Sequence, residues 1–228
     1  MAHLLSVNLA RPRPNPAKPE AGSTGIDKRP VEHPVVLRAP GPKGACPHPS
    51  GLVGDAVLDT RHHGGDDQAV YAYARESLDL WARELGRDLP GGSFGENLTT
   101  VGLDVDGALI GERWQIGEQV VLEVSVPRIP CATFAHWLDE RRWTRRFTER
   151  ALPGTYLRIV RPGSIRVVDR ITVVDRPAHG LTVRDCFRAV TTDAALLPRL
   201  VDVAALPAEV RELARRRTAT PPFAPTDD

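Results

Sequence analysis

Between Val120 and Val126 an apolar side chain falls on every second residue, Val120, Leu122, Val124 and Val126, and the run then stops at Pro127-Arg128-Ile129-Pro130-Cys131. Period-two alternation predicts a half-buried strand. Pro127 and Pro130 lack the amide hydrogen that a central ladder needs, so the strand must end there. The chain therefore presents one thiol, Cys131, at a fixed place just past a strand. Nucleophile, metal ligand and spare cysteine all remain open for it at this point.

Short β patterns surround this stretch. His3 to Leu9, Val35 to Arg38, Arg113 to Ile116, Thr155 to Arg161, Ser164 to Val168 and Arg170 to Asp175 are expected strands, with Gly117-Glu118 as a hairpin turn. Many short strands with few helices between them predict a mainly β fold with a closed or strongly curved sheet. Residues 11–20 hold too many prolines for helix or central strand, which predicts a surface excursion. Val70, Ala74, Leu78, Trp81 and Leu85 recur at spacings of three and four, predicting a helix that Gly86 stops. Thr133 to Arg150 is expected to be helical in pieces. Beyond His179-Gly180 come three short helical patterns, Thr182 to Val190, Asp193 to Val201 and Pro207 to Arg217. The expected organisation is a β domain over 1–178, a three-helix domain over 179–218 and a disordered tail over 219–228.

Composition narrows the function classes. No run reaches the ~20 apolar residues of a spanning helix, and the N-terminus lacks the pattern of a signal peptide. The expected location is the cytoplasm, with no membrane partner. A net charge of +1 gives no general drive towards nucleic acid. The three cysteines are dispersed and unpaired in spacing, which argues against a disulfide framework or a tetrathiolate zinc site. Cys186 sits in an apolar helical pattern and reads as a buried, inert thiol. Cys46 lies in a Gly/Pro-rich loop and reads as a bystander.

Two glycine-rich stretches carry polar groups. Arg61-His62-His63-Gly64-Gly65-Asp66-Asp67 precedes the expected helix at Val70, so its glycines and histidines would stand at a helix N-terminus suited to an anion. Adjacent histidines cannot easily face one metal, and spacing alone favours a turn or hydrogen-bonding role. Gly91 to Leu98 carries Glu96 and Asn97, an acceptor and a donor that suit either recognition of a heterocycle or the fixing of a loop.

Taken together, Gly54-Asp55, Arg61-His62-His63-Gly64-Gly65, Val70-Tyr71-Ala72-Tyr73, Phe94-Gly95-Glu96-Asn97-Leu98, Ile110-Gly111, Pro127-Arg128 and Pro130-Cys131 resemble the MOSC domain, found at the C-terminus of molybdenum-cofactor sulfurases. The likeness is to stand-alone bacterial members of the YiiM type, in which three helices follow a β-barrel, and it covers roughly Val31 to Arg217. Each motif is unspecific; their order and spacing are not. The Pro-rich 11–20 stretch, the Cys46-Pro47-His48-Pro49 loop and Val168-Asp169 in place of a Gly-Asp turn depart from the family pattern.

The resemblance implies a MOSC-type β-barrel that binds the molybdenum cofactor, a molybdopterin bearing a dithiolene and a phosphate. It implies reduction of N-hydroxylated compounds, such as hydroxylated purine-type bases, with electrons from an external reductase. Cys131 is then the metal ligand and, with His63 and Glu96, a catalytic residue. Arg128, Asn97, Gly95, His63, Gly64, Gly65 and Lys28 are the expected cofactor-binding residues. Arg128 either tunes the thiol or holds the cofactor phosphate. The alternatives are a persulfide sulfur carrier at Cys131 and a non-catalytic module that binds and delivers the cofactor. Pyridoxal phosphate, attached to the wider family through a separate domain, is not expected. A homodimer is the general prior for such a protein.

Overall fold

The computed structural model describes residues 1–44 and 50–219. In chain order it contains β1 (His3–Ala10), β2 (Arg13–Pro14), β3 (Ser23–Thr24), β4 (Lys28–Val31), β5 (Val35–Leu37), β6 (Val70–Ala74), α1 (Arg75–Leu85), β7 (Leu98–Val101), β8 (Arg113–Ile116) and β9 (Val120–Pro127). There follow α2 (Ala132–Leu138), α3 (Trp143–Arg150), β10 (Thr155–Arg161), β11 (Gly163–Ile165), β12 (Ile171–Asp175), α4 (Val183–Thr191), α5 (Pro198–Val201) and α6 (Ala208–Ala219). Eight strands form one mixed sheet in the order β12-β8-β9-β10-β6-β7-β1-β4, and two small antiparallel pairs, β11-β5 and β2-β3, flank it. The fold is thus mainly β with peripheral helices.

β9 forms as its alternation requires, with Val120, Leu122 and Val124 fully buried, and it pairs with β8 across the expected hairpin. β6 departs from expectation. Val70 to Ala74 is a strand between β10 and β7, not the first turns of a helix. Both of its faces are buried: Val70, Ala72 and Ala74 join the sheet core, while Tyr71 and Tyr73 join an aromatic cluster on the other side. That two-residue alternation is a strand signature, and the three-four spacing was coincidental before Leu78. Only α1 is helical, burying Leu78 and Trp81 and ending at Gly86 with φ 63°.

The sheet curls but no ladder closes it. A single bridge, His3 to Arg170, and hydrogen bonds from Leu4 N to Asp169 O (2.9 Å) and Val168 N to Leu4 O (2.9 Å) tie the turn before β12 to β1. Of the expected barrel, the described residues show a curved sheet whose β1 and β12 ends are joined by this bridge and these backbone hydrogen bonds, Ile171 N to Ala2 O (2.9 Å) included, with no continuous ladder between them. At its far edge β4 contains Pro30, which offers no amide hydrogen to a further strand.

The C-terminal helices occur where the sequence places them, and Thr182 Oγ1 caps α4 by accepting Asp185 N at 2.9 Å. Leu181, Val183, Cys186 and Leu200 share one apolar cluster with the sheet, so these helices pack onto the β core rather than around a core of their own. Residues 45–49, which include Cys46, and the tail from Thr220 onward lie outside the described residues.

Candidate functional site

α1, α2, α3, the 91–97 turn and α4 meet in an aromatic cluster: the Trp81 and Trp143 rings lie tilted 4.7 Å apart between centroids, and Phe134 sits 5.2 Å from both Phe94 and Phe147. This packing fixes the start of α2. Cys131 is its N-cap residue, in extended conformation directly after the prolines, so the strand end and the aromatic cluster position the thiol from two sides.

The thiol opens into a cleft of about 740 Å³ up to and including its mouth, lined by His63, Gly64, Lys28, Gly95, Asn97, Arg128 and Cys131 among others. Seven of the expected site residues therefore converge. The histidine pair is resolved by Asp59. Its carboxylate holds His62 Nδ1 at 2.9 Å on the exposed side, and its carbonyl accepts His63 N at 3.0 Å, which leaves the His63 ring facing the cleft. Burial pushes the Cys131 thiol up, but the hydrogen bond from His63, the Arg128 charge and the Phe134 N–H outweigh it and bring the thiol down to about 6. It is ionised at neutral pH.

Arg128 is 7% exposed, with its guanidinium 3.7 Å above the Phe134 ring, 5.2 Å from that of Tyr71, and donating to the Phe94 carbonyl. Burial disfavours its charge, yet the neighbouring Tyr71, Tyr156 and Cys131 more than compensate. No carboxylate pairs with it among the described residues. Lys28 is different: Asp55 holds its ammonium at 2.7 and 2.8 Å. Burial would raise the Asp55 carboxyl, but Lys28, Ser50 and Asn97 lower it. The Lys28 charge is already neutralised, which makes Arg128 the stronger anion site.

Three expected residues take other roles. Glu96 does not line the cleft; its carboxylate accepts Gly92 N (2.7 Å), Phe94 N (2.9 Å) and Thr99 Oγ1 (2.9 Å) and holds the turn, while burial raises its pKa. Gly65 also lies off the cleft, where a Cβ would come within 2.7 Å of the Lys43 backbone. Asn97 faces the cleft but is occupied, accepting Tyr71 N and donating to Asn8 O and Asp55. The anion site expected at a helix N-terminus is also lost, because His63 and Gly64 precede only a short 3-10 turn (Asp66–Gln68) and a strand.

The sequence did not reveal the cleft's outer wall. The Pro-rich stretch forms β2 and the segment that leads back to β3; in that segment Asn15 is buried and donates to Thr133 Oγ1 at 3.1 Å, while Lys18 pairs with Asp59 at 3.2 Å. Asn15, Thr133, Asp55 and Gln68 thus join the lining without having been expected there. Asp55 had a signal, since Gly54-Asp55 stands in the motif set; Asn15 had none.

An ionised thiol beside a buried cation that no carboxylate pairs is a donor set that fits a soft metal carried by an anionic ligand. The residues therefore fit the molybdenum cofactor: Cys131 would hold the metal and Arg128 an anionic group.

The family model described as "MOSC domain" matches residues 59–172. YflK of Bacillus subtilis, an uncharacterised protein, is 30% identical over 206 residues, 89% of this chain and 88% of that one. A protein of Gibberella moniliformis called "Reductase" is 28% identical over 161 residues, 69% of this chain but 28% of that longer one. The crystal structure of YiiM from Geobacillus stearothermophilus superposes with a TM-score of 0.75 at 26% identity, covering 95% of this chain and 99% of that one. With half of its length matched by the family model and a full-length relative at this identity, the chain belongs to the MOSC domain family.

Proposed function

We propose that this chain is a molybdenum-cofactor-dependent oxidoreductase that reduces N-hydroxylated compounds, hydroxylated purine-type bases among them, to amines. The observation that carries the reading is the Cys131 thiol, held between His63 and the Arg128 guanidinium, which no carboxylate pairs among the described residues, in one cleft. Membership of the MOSC family and the relative named as a reductase support it.

When bound, the cofactor supplies the two-electron chemistry. The overall conversion consumes two electrons and two protons per N-hydroxy group and yields the amine and water. An external reductase delivers the electrons, because the sequence contains no flavin or nicotinamide fingerprint. Cys131 offers the soft thiolate ligand. Arg128 balances the negative charge of a phosphate or dithiolene, with a planar fork suited to two oxygens. The His63 ring bonds Cys131 and faces the cleft, which places it to pass a proton to a group entering there. Asp55 fixes Lys28 and Asn97, and through Asn97 the backbone of β6.

Metal analysis of protein from a host competent in cofactor synthesis tests the proposal. Near-stoichiometric molybdenum is expected in the wild type and in Cys186→Ala, and a loss in Cys131→Ala. Metal-free protein carrying cyanide-labile sulfur would instead favour the persulfide carrier. Loaded protein that reduces no N-hydroxylated base with any electron donor would favour a binding and delivery module.

A further inference from the structure

Polar side chains along the cleft are mostly committed within the protein. Asp55 is held by Lys28, Ser50 and Asn97, Asp59 by Lys18 and His62, and Asn15 and Thr133 bond each other. Gln68 differs from these. Its side-chain carbonyl oxygen Oε1 is buried and has no hydrogen-bond partner among the described residues, and the residue lines the cleft beside Ala69. A buried acceptor left unmade weakens a fold, and its retention calls for a donor that the protein does not supply. The backbone beneath it is pinned, since Gln68 N donates to Gly65 O at 3.0 Å and Ala69 O accepts Gly51 N at 2.8 Å. Elsewhere in the same cleft stand Cys131, His63 and Arg128, which attract an anionic or metal-bearing group. A ligand satisfying the whole lining carries that group and also an N–H donor.

We propose that Gln68 is the specificity-determining acceptor for a ring N–H or amino group of a nitrogen heterocycle held in this cleft. The inference rests on the cofactor reading above. Its chemistry is shared by the pterin of the cofactor and by a purine-type substrate.

The test compares wild type with Gln68→Met, which keeps the length of the side chain and removes the acceptor. Pterin-6-carboxylate and 6-hydroxylaminopurine are titrated separately into both proteins by calorimetry, and the thermal midpoint is measured without ligand. Affinity for at least one probe is expected to fall about tenfold in the variant, the worth of one hydrogen bond. The ligand-free midpoint is expected to hold or rise, because the orphaned acceptor is gone. A loss confined to the pterin assigns Gln68 to the cofactor, and a loss confined to the purine assigns it to the substrate. Equal affinities in both proteins, or a lower midpoint with affinities unchanged, overturn the inference and leave the cofactor reading intact. No binding of either probe to the wild type overturns the inference, and molybdenum content, measured on Cys131→Ala as above, then judges the cofactor reading separately.

Discussion

Removal of His63 should change the chemistry of Cys131 more than its location. In the cofactor-free protein the thiol stands at about 6 against an ordinary 9.0, because the His63 hydrogen bond, the Arg128 charge and the Phe134 N–H overcome the effect of burial. At pH 7 that makes the thiol about 90% ionised, where an ordinary one is about 1% ionised. The gain of about 90-fold in thiolate is offset by weaker nucleophilicity. With a Brønsted slope of about 0.4–0.5, three units cost roughly 15- to 30-fold, so alkylation at pH 7 should be only about 3- to 6-fold faster than for an ordinary thiol. At pH 5 the thiolate ratio grows to about 900 and the net advantage to roughly 30- to 60-fold. The informative assay is thus iodoacetamide alkylation followed down to pH 5, in a Cys46→Ser background, with buried Cys186 silent. Wild type should show a midpoint near 6. His63→Ala should shift it upward, because burial then opposes fewer favourable contacts. A wild-type midpoint near the ordinary value, or one that His63→Ala leaves in place, would refute the electrostatic account of the cleft.

Other consequences follow from groups away from the thiol. Asp106 is 3% exposed and burial raises its carboxyl to about 6, although Gly154 N and Ser77 Oγ bond to it. Its folded form therefore holds the proton more tightly than the unfolded chain, so stability falls as pH rises from about 4 to about 6. Asp106→Asn should remove that slope and raise stability at pH 7 by up to about 3 kcal/mol in denaturant titrations. For Asp55 the sign is opposite: its lowered pKa gives stability that is present above the ordinary carboxylate range and is lost as pH falls through the depressed value. Asp55→Asn leaves the buried Lys28 ammonium without its partner and should cost about 3–5 kcal/mol in urea unfolding. Val168 sits at φ 67° and is 72% exposed, a conformation that β-branched side chains resist. Val168→Gly relieves about 1–2 kcal/mol and adds somewhat less in chain entropy, so a rise of a few degrees in Tm is expected.

Much of the fold was legible because its signals were local. The β8-β9 hairpin, the stop of α1 at Gly86 and the cap at Thr182 each rest on residues within a few positions of one another. Val168 belongs with them, since the departure from a Gly-Asp turn marked the place where the backbone enters the left-handed region. β6 shows where such reading fails. Val70 to Ala74 is buried on both faces, so polar residues mark neither side, and only the exchange of Val and Ala with Tyr carries the period of two. The many short strands pointed to a closed or strongly curved sheet without choosing between the two, because closure depends on whether two distant edges meet in register.

The site divides along the same physical line. Groups that need a turn or a strand end to present them, His63 and Cys131, stood out as motifs, and the fold brings them into one cleft. Groups whose role depends on a distant partner did not declare it. Glu96 and Asn97 look alike on paper as polar residues in a glycine-rich turn, yet Glu96 is consumed by backbone amides within four residues of itself, while Asn97 reaches Asn8, Asp55 and Tyr71. The same holds for charge. Lys28 and Arg128 are both buried cations on the cleft wall, and only the presence of Asp55 beside one and an aromatic face beside the other separates a carboxylate-neutralised pair from a cation that no carboxylate holds among the described residues. An aromatic face accommodates a guanidinium without cancelling its net charge. Arg128 can therefore be buried by Phe134 and Tyr71 and still act on both the Cys131 thiol and an incoming anion, so the two roles that its sequence position left open are compatible.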